Sequence, residues 1–411
     1  MSDPLLAGFA RVDITPALDD PPSFEIFDPI YLRALHLRQG GRRATFLAAD
    51  LFVLDEAMLA SAARRLAAAG IDAGWVLPGA SHIGTGPTLF SYYHNQPTEA
   101  LKEFGRDEDY AGAAAGVIEA ACRDAVPARL ALGAGTAAAG LQYNRRAHDE
   151  EGRLRMVSLT EFATPPEELR YDAVDRQVGV LRVDREGRRP AALVAFGCHA
   201  LALWDDRGNI SGDYPGRLSR ELAAAGIDSL FFQGALGNVH PVRREQDPAA
   251  RIGRSLAATV QDVWSTLEPG DADLELSSAT VELEPAATAG VEAAKAEWES
   301  RPSEAEGLAR YDYWRARHFE ERDAQPVTLS SVRVGGGVLL HVPGEPFVET
   351  AEAIRAAVPA DPLVVLSNPC PEVGYLPTPE AHREGGDEPL FAALGAGEEP
   401  RLRRAAIELL K

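Results

Sequence analysis

An α/β fold, with a mixed, largely parallel sheet core flanked by helices, follows from three features of the chain. Short apolar strands alternate with Ala/Leu/Arg-rich helices along most of its 411 residues, the arrangement that parallel pairing through crossover helices produces. Several of those strands run straight into Gly/Pro-rich loops. No internal repeat and no linker interrupts the alternation, so 1–411 reads as one large domain with ample length for a core.

Residues 44–49 form a strand ending at Asp50, and 55–69 an amphipathic helix closed by Gly70. "GWVLPGASHIGTGP" is a strand and loop, and 109–124 is helical. "GAGTAAAG" (133–140) is a strand and turn, because its glycine spacing does not match a dinucleotide fingerprint and no acidic residue follows at the expected place. "RQVGVLRVDREGRRPAALVAFG" is a hairpin around "DREGRRP". The helix "RLSRELAAAG", the strand and loop "SLFFQGALGNVHP" and a helix over 248–267 come next. Residues 288–324, rich in Glu, Ala and Arg, read as an exposed helical excursion. "VTLSSVRVGGGVLLHVPGEPF" returns to strands, a helix occupies 348–357, and "PLVVLSNPCPEVGYLPTPEAH" adds a last strand and loop.

Charge narrows the partners. Asp and Glu number 62 against 41 Lys and Arg, a net charge of −21, so nucleic acid and anionic membrane surfaces would repel the chain. The start has no basic segment followed by an apolar one, and no apolar run is long enough to span a membrane. Three widely spaced cysteines without a signal point to reduced thiols. A cytoplasmic enzyme acting on a small molecule is expected, with no membrane insertion; oligomer formation is left open.

The chemistry gathers where strands end. His82, His199, His240, Glu345 and Tyr375 each lie just past an apolar strand, and ligands collect at the carboxyl ends of strands in α/β sheets. By contrast, His36 and His341 lie inside strands, His318 sits in the charged excursion and is expected to be solvated, and His94, His148 and His382 occupy polar loops. There is no GxSxG elbow, P-loop, HExxH pair or close cysteine pair. Zinc sites with short ligand spacing are thereby excluded, but sites assembled from distant loops are not.

Eight short motifs occur in the order found in one known family: "ARVDITP", "SHIGTGP", "YNRR", "FGCHALAL", "ISGDYPG", "FFQGALGNVHP", "VPGEPF" and "GYLPTPEAH". On these the chain resembles the neutral/alkaline, non-lysosomal ceramidases, zinc-dependent amidases. The resemblance implies a Zn²⁺ held by His82, His199, Glu345 and Tyr375, with water at an open position as the source of the nucleophile. It also implies that Arg145 of "YNRR" stabilises the substrate carbonyl or its oxyanion. Asn144 and Asn238 flank that chemistry, and Asp213 is a plausible partner orienting a ligand histidine.

Three departures stand out. Gly84 replaces the family's second histidine, Asn238 and His240 replace an aspartate and a serine, and Asp387-Glu388 replaces Tyr-Glu. No counterpart of the family's C-terminal β-sandwich is expected. The metal set is kept while the substrate-facing set is rebuilt, with His240 expected as an acid/base or an additional ligand and Asp387 taking the lost tyrosine's place. The leading expectation is therefore a zinc hydrolase cleaving an amide, or a related ester or lactone, of a small polar substrate other than ceramide. The alternative is a non-catalytic descendant that keeps zinc for binding or sensing.

Overall fold

The chain's alternation of strands and helices becomes, in a computed structural model describing residues 3–17, 24–86, 107–159, 161–206, 208–244, 246–301 and 306–411, a sheet of twelve strands among the described residues. In chain order they are β1 (Leu6–Asp13), β2 (Tyr31–Gln39), β3 (Arg42–Ala49), β4 (Trp75–Ala80), β5 (Val126–Thr136) and β6 (Gln177–Arg185). The remainder are β7 (Ala191–Phe196), β8 (Asp228–Gln233), β9 (Glu275–Leu283), β10 (Gln325–Val334), β11 (Gly337–Pro343) and β12 (Leu363–Asn368). Across the sheet the order is β9-β10-β11-β12-β8-β7-β6-β5-β1-β2-β3-β4.

The sheet is mixed, but its parallel share is smaller than the alternation predicts. Only β3–β4, β7–β8 and β11–β12 pair in parallel. Each of those pairs encloses a helix: Glu56–Ala68, Asp213–Ala224 and Val348–Ala357 respectively. The connections β2–β3, β6–β7 and β10–β11 are too short for a crossover, so those strands return antiparallel. Gly40 (φ 57°) between β2 and β3 and Gly335 (φ 59°) between β10 and β11 turn the chain in the left-handed conformation that tight hairpins need.

One face of the sheet packs on another part of itself. Leu193, Leu230, Phe232 and Leu366 share a buried cluster with Leu35, Phe46 and Leu77 from its far end. Alternate residues such as Val180, Val194 and Phe231 face the helices Asp213–Ala224 and Pro248–Thr266. Both faces are covered, which is why these strands read as unbroken apolar runs.

β8 and β12 meet through the single pair Gln233 and Ser367, and that junction gathers strand ends. Gln233 Nε2 donates to Ser81 O (2.7 Å), Ser367 Oγ to Gly234 O (2.7 Å), and Ala80 N to Asn368 Oδ1 (3.2 Å). The carboxyl ends of β4, β8 and β12 are thus cross-linked by buried polar side chains, whose hydrogen bonds remove the cost of burying them.

Within 288–324, helices Val291–Ser300 and Glu306–His318 pack on each other through Trp298 and Tyr313. This excursion is not simply exposed. Tyr311 is fully buried and donates to Phe391 O (3.0 Å), and Arg315 Nη1 donates to Ala392 O (2.8 Å), so the pair buttresses the segment beside Tyr375. His318 is half-buried between Trp314 and Gln325 rather than solvated. His36 and His341 are sheet residues as expected, while His148 lies in a short strand and His382 in a helix. His94 and Pro87 fall outside the described residues. Among the described residues no helix is long and apolar enough to cross a membrane.

Phe232, fully buried, fills the space over Gly79, where a Cβ would lie 2.3 Å from its ring. Phe232→Ala should cost about 3–5 kcal/mol of unfolding free energy, measured in urea, because the two halves of the sheet cannot close over the vacated volume. A loss under about 1 kcal/mol would contradict this packing.

Candidate metal centre

Five loops leave the carboxyl ends of β4, β7, β8, β11 and β12, and four carry the residues whose side chains meet. His82, two residues past β4, has φ 62°, a left-handed conformation that is costly for a residue with a Cβ. Two bonds hold it there: its backbone N–H donates to Leu51 O (3.0 Å) and its ring Nδ1–H to Phe52 O (2.6 Å). His199, past β7, donates Nδ1–H to Val239 O (2.9 Å). The two histidine loops are zipped together by the bridge Ile83–Ala200 and the bond from Gly84 N to Ala200 O (3.2 Å). Past β11 and β12, Glu345–Pro346 pairs in parallel with Tyr375–Leu376.

Because a carbonyl can only accept, each histidine is protonated at Nδ1 and turns an Nε2 lone pair inward. Both Nε2 atoms face one carboxylate oxygen: Glu345 Oε2 lies 3.5 Å from His82 and 3.2 Å from His199. One ligand atom from each of the three lies within 4.8 Å of the others, and all three residues are buried. Tyr375 Oη sits 3.0 Å from His199 Nε2 and also acts on Glu345. Burial, followed by the charge of Arg145, lowers the His199 pKa to about 3, so the ring is neutral. Burial raises the Glu345 carboxyl and the Tyr375 phenol.

Glu345 Oε2 has no hydrogen-bond donor. A buried acceptor facing two imidazole lone pairs is unstable by itself. A divalent cation among these atoms satisfies all of them at once, and two imidazoles with a carboxylate and a phenol are a ligand set such an ion accepts. The residues present therefore fit a metal.

Beside the cluster, Arg145 is fixed on three sides. Nε donates to Glu388 Oε1 (2.8 Å), Nη1 to His240 Nε2 (3.0 Å) and Nη2 to Gly237 O (3.1 Å), with Cζ 5.1 Å from the Tyr375 ring centroid. Burial disfavours its charge, but Glu388 and Tyr375 more than offset that, so it stays cationic. Glu388 is fully buried and also binds Arg146 Nη1 (2.7 Å). Burial works to raise its pKa, yet the two guanidinium groups hold the carboxyl below its usual range.

His240 stands beside Arg145. It is outside the ligand cluster, and its Nε2 lone pair is occupied by Arg145. Burial, then Arg145, then His199 press its pKa well below the ordinary value. In this arrangement the imidazole accepts a hydrogen bond from the guanidinium.

Asp213 is also placed otherwise: backbone carbonyls, not this carboxylate, orient the ligand imidazoles. Asp213 accepts from Leu203 N (2.9 Å) and Tyr214 N, while the Tyr214 hydroxyl donates to Cys198 O, so it supports the His199 loop from behind. Asn144 accepts from Arg146 N (3.0 Å), and Asn238 bridges Val348 N (3.1 Å) and Glu349 Oε2 (2.9 Å). Both hold loops without touching the cluster. A Cβ at Gly84 would come 2.6 Å from Leu201 Cδ2, which fills the space a side chain there would need. Asp387 is exposed and lines the mouth of a cavity of about 210 Å³ that also contains Arg145, His240 and the histidine ligands. Two contributors escape a reading of the sequence: Glu388, the second half of the Asp387-Glu388 pair, and Phe52, which stacks on His82 with centroids 4.2 Å apart.

His82→Ala or His199→Ala should strip most of the bound metal, read by elemental analysis of the purified protein, since each removes one of few protein ligands. Tyr375→Phe should weaken binding less, because a neutral phenol is the weakest donor of the set. Wild-type metal content in either histidine variant would overturn the site.

No protein-family model matches the chain, and no curated protein does. Among solved structures, the neutral ceramidase from Pseudomonas aeruginosa superposes with a TM-score of 0.72 at 18% identity, covering 99% of this chain and 74% of that one. A ceramidase complexed with C2 gives 0.70 at 17% identity, covering 99% and 75%. With more than four residues in five replaced, the chain has the fold of neutral ceramidase.

Proposed function

We propose that the protein is a zinc-dependent hydrolase cleaving an amide bond, in preference to an ester or lactone, of a small polar substrate. The observation that carries this reading is Glu345 Oε2, buried without a donor between two imidazole nitrogens and beside a fixed guanidinium. His82, His199, Glu345 and Tyr375 would hold the ion. It would supply Lewis acidity, polarising an acyl carbonyl and lowering the pKa of water.

The protein's own contribution is a preorganised cation. Arg145 lines the cavity, and its three anchors leave it no freedom to follow a substrate. A guanidinium held fixed beside the carbonyl oxygen would favour the oxyanion over the neutral ground state, because no reorganisation is needed when charge develops. Glu388 and His240 act through Arg145. Phe52, Leu201 and Trp204 form apolar walls that exclude bulk water. Asp387, which lines the mouth, would exchange a proton with a leaving amine. A cavity of about 210 Å³ favours a small acyl group over a long lipid chain, and the likeness in fold to ceramidase favours the C–N bond.

Assay of the metal-loaded protein with N-acyl, ester and lactone substrates tests the reaction, and turnover of N-acyl compounds is expected. Faster hydrolysis of esters or lactones would reassign the bond, and a metal-loaded protein inert to all three would favour a binding or sensing role. Arg145→Ala should lower kcat by about 10²-fold with metal content unchanged, and normal turnover would remove Arg145 from the mechanism. If His240 only anchors Arg145, the Arg145→Ala/His240→Ala double variant should be no slower than Arg145→Ala alone. A further large loss, with a shifted pH profile, would restore the imidazole as an acid/base.

A further inference from the structure

A second cavity, of about 150 Å³, shares no lining residue with the one at the metal centre. It lies between the first hairpin, helix Asp213–Ala224 and the start of β8. Arg11 and Arg33 are cross-strand partners on β1 and β2, so both guanidinium groups project from one face. They flank the Tyr31 ring, with Cζ atoms 5.2 and 4.9 Å from its centroid. Arg220, exposed on the helix, closes the opposite wall.

The charges do not cancel. Arg33 is bonded to Asp50 (2.8 Å), but neither Arg11 nor Arg220 has a carboxylate within ion-pair reach among the described residues. The two acids in the walls are already spent. Asp28 accepts from Ser211 Oγ (2.8 Å) and Gly212 N (2.9 Å) and pairs with Arg217 (3.3 Å), while Asp228 pairs with Arg185 (3.2 Å). Ser229 adds an independent observation: it lines the cavity, is 6% exposed, and its hydroxyl has no partner. A buried hydroxyl left unbonded costs free energy that a ligand can recover.

We propose that this cavity binds a small oxyanion, a phosphate or carboxylate group, between Arg11, Arg220 and the Ser229 hydroxyl, with Arg33 and Tyr31 as its wall. Guanidinium forks match the paired oxygens of such groups, and charge-assisted bonds are the strong ones. The volume is about that of a cavity that holds benzene, enough for the anionic group and little more. The chain's net charge of −21 repels anions at long range, so attraction here is local and should weaken with salt.

Isothermal titration of the metal-loaded full-length protein with inorganic phosphate and, separately, acetate tests this at fixed ionic strength against chloride. Saturable binding of at least one is expected, and the tighter of the two identifies the class of anion. Arg11→Gln/Arg220→Gln should weaken it about ten-fold or more, and Ser229→Ala by less, with metal content and turnover unchanged. The first two substitutions are on the surface and should leave folding intact. Absence of saturable binding in the wild type would overturn the proposal. So would binding that survives Arg11→Gln/Arg220→Gln and disappears on metal removal, since the anion would then sit at the metal.

Discussion

A carboxylate taken out of water must be paired or it will not stay ionised, and Glu345 is the residue on which this constraint falls. One of its oxygens has no donor and faces two imidazoles that present lone pairs. Much of the surrounding structure serves to make that encounter unavoidable. Backbone carbonyls from the segment after β3 and from Val239 set the histidine tautomers. The left-handed backbone at His82 is held by the same segment, and the parallel pairing of Glu345–Pro346 with Tyr375–Leu376 brings Glu345 and Tyr375 side by side. Such a centre is costly to keep empty and favourable to fill.

The sheet explains how residues separated by nearly three hundred positions reach one place. Each parallel pair is a strand–helix–strand unit whose loops open at the carboxyl ends, and the junction of Gln233 with Ser367 draws three of those ends together. The helical excursion at 288–324 then supports the segment beside Tyr375 through Tyr311 and Arg315. Packing and site geometry are thus one problem here. The apolar faces that close the sheet on itself are those that fix where its loops emerge.

The residues that meet in the cluster were legible in the sequence because an apolar run followed by glycine and a histidine, glutamate or tyrosine marks a strand end, and strand ends are local features. What was not legible depends on orientation and long-range partners. His240 lies in the expected loop, but only its neighbour Arg145 determines that its lone pair is occupied. Asp213 has the right chemistry to orient a ligand, yet backbone carbonyls reached the imidazoles first. Glu388 becomes important through arginines about 240 positions away, a pairing that no spacing rule encodes. The antiparallel pairings β2–β3 and β10–β11 were visible in principle, since two-residue glycine turns cannot carry a crossover; the antiparallel pairs other than these and β6–β7 depend on long connections and distant partners.

The central claim is that two imidazoles, a carboxylate and a phenol hold a zinc ion. X-ray absorption at the zinc edge of the purified, metal-loaded protein tests it most directly. The account predicts one zinc per chain in a shell of nitrogen and oxygen at about 2.0–2.1 Å, with the outer-shell scattering of two imidazoles that is lost in a His82→Ala/His199→Ala variant. No stoichiometric zinc, or a shell containing sulfur at about 2.3 Å, would contradict it.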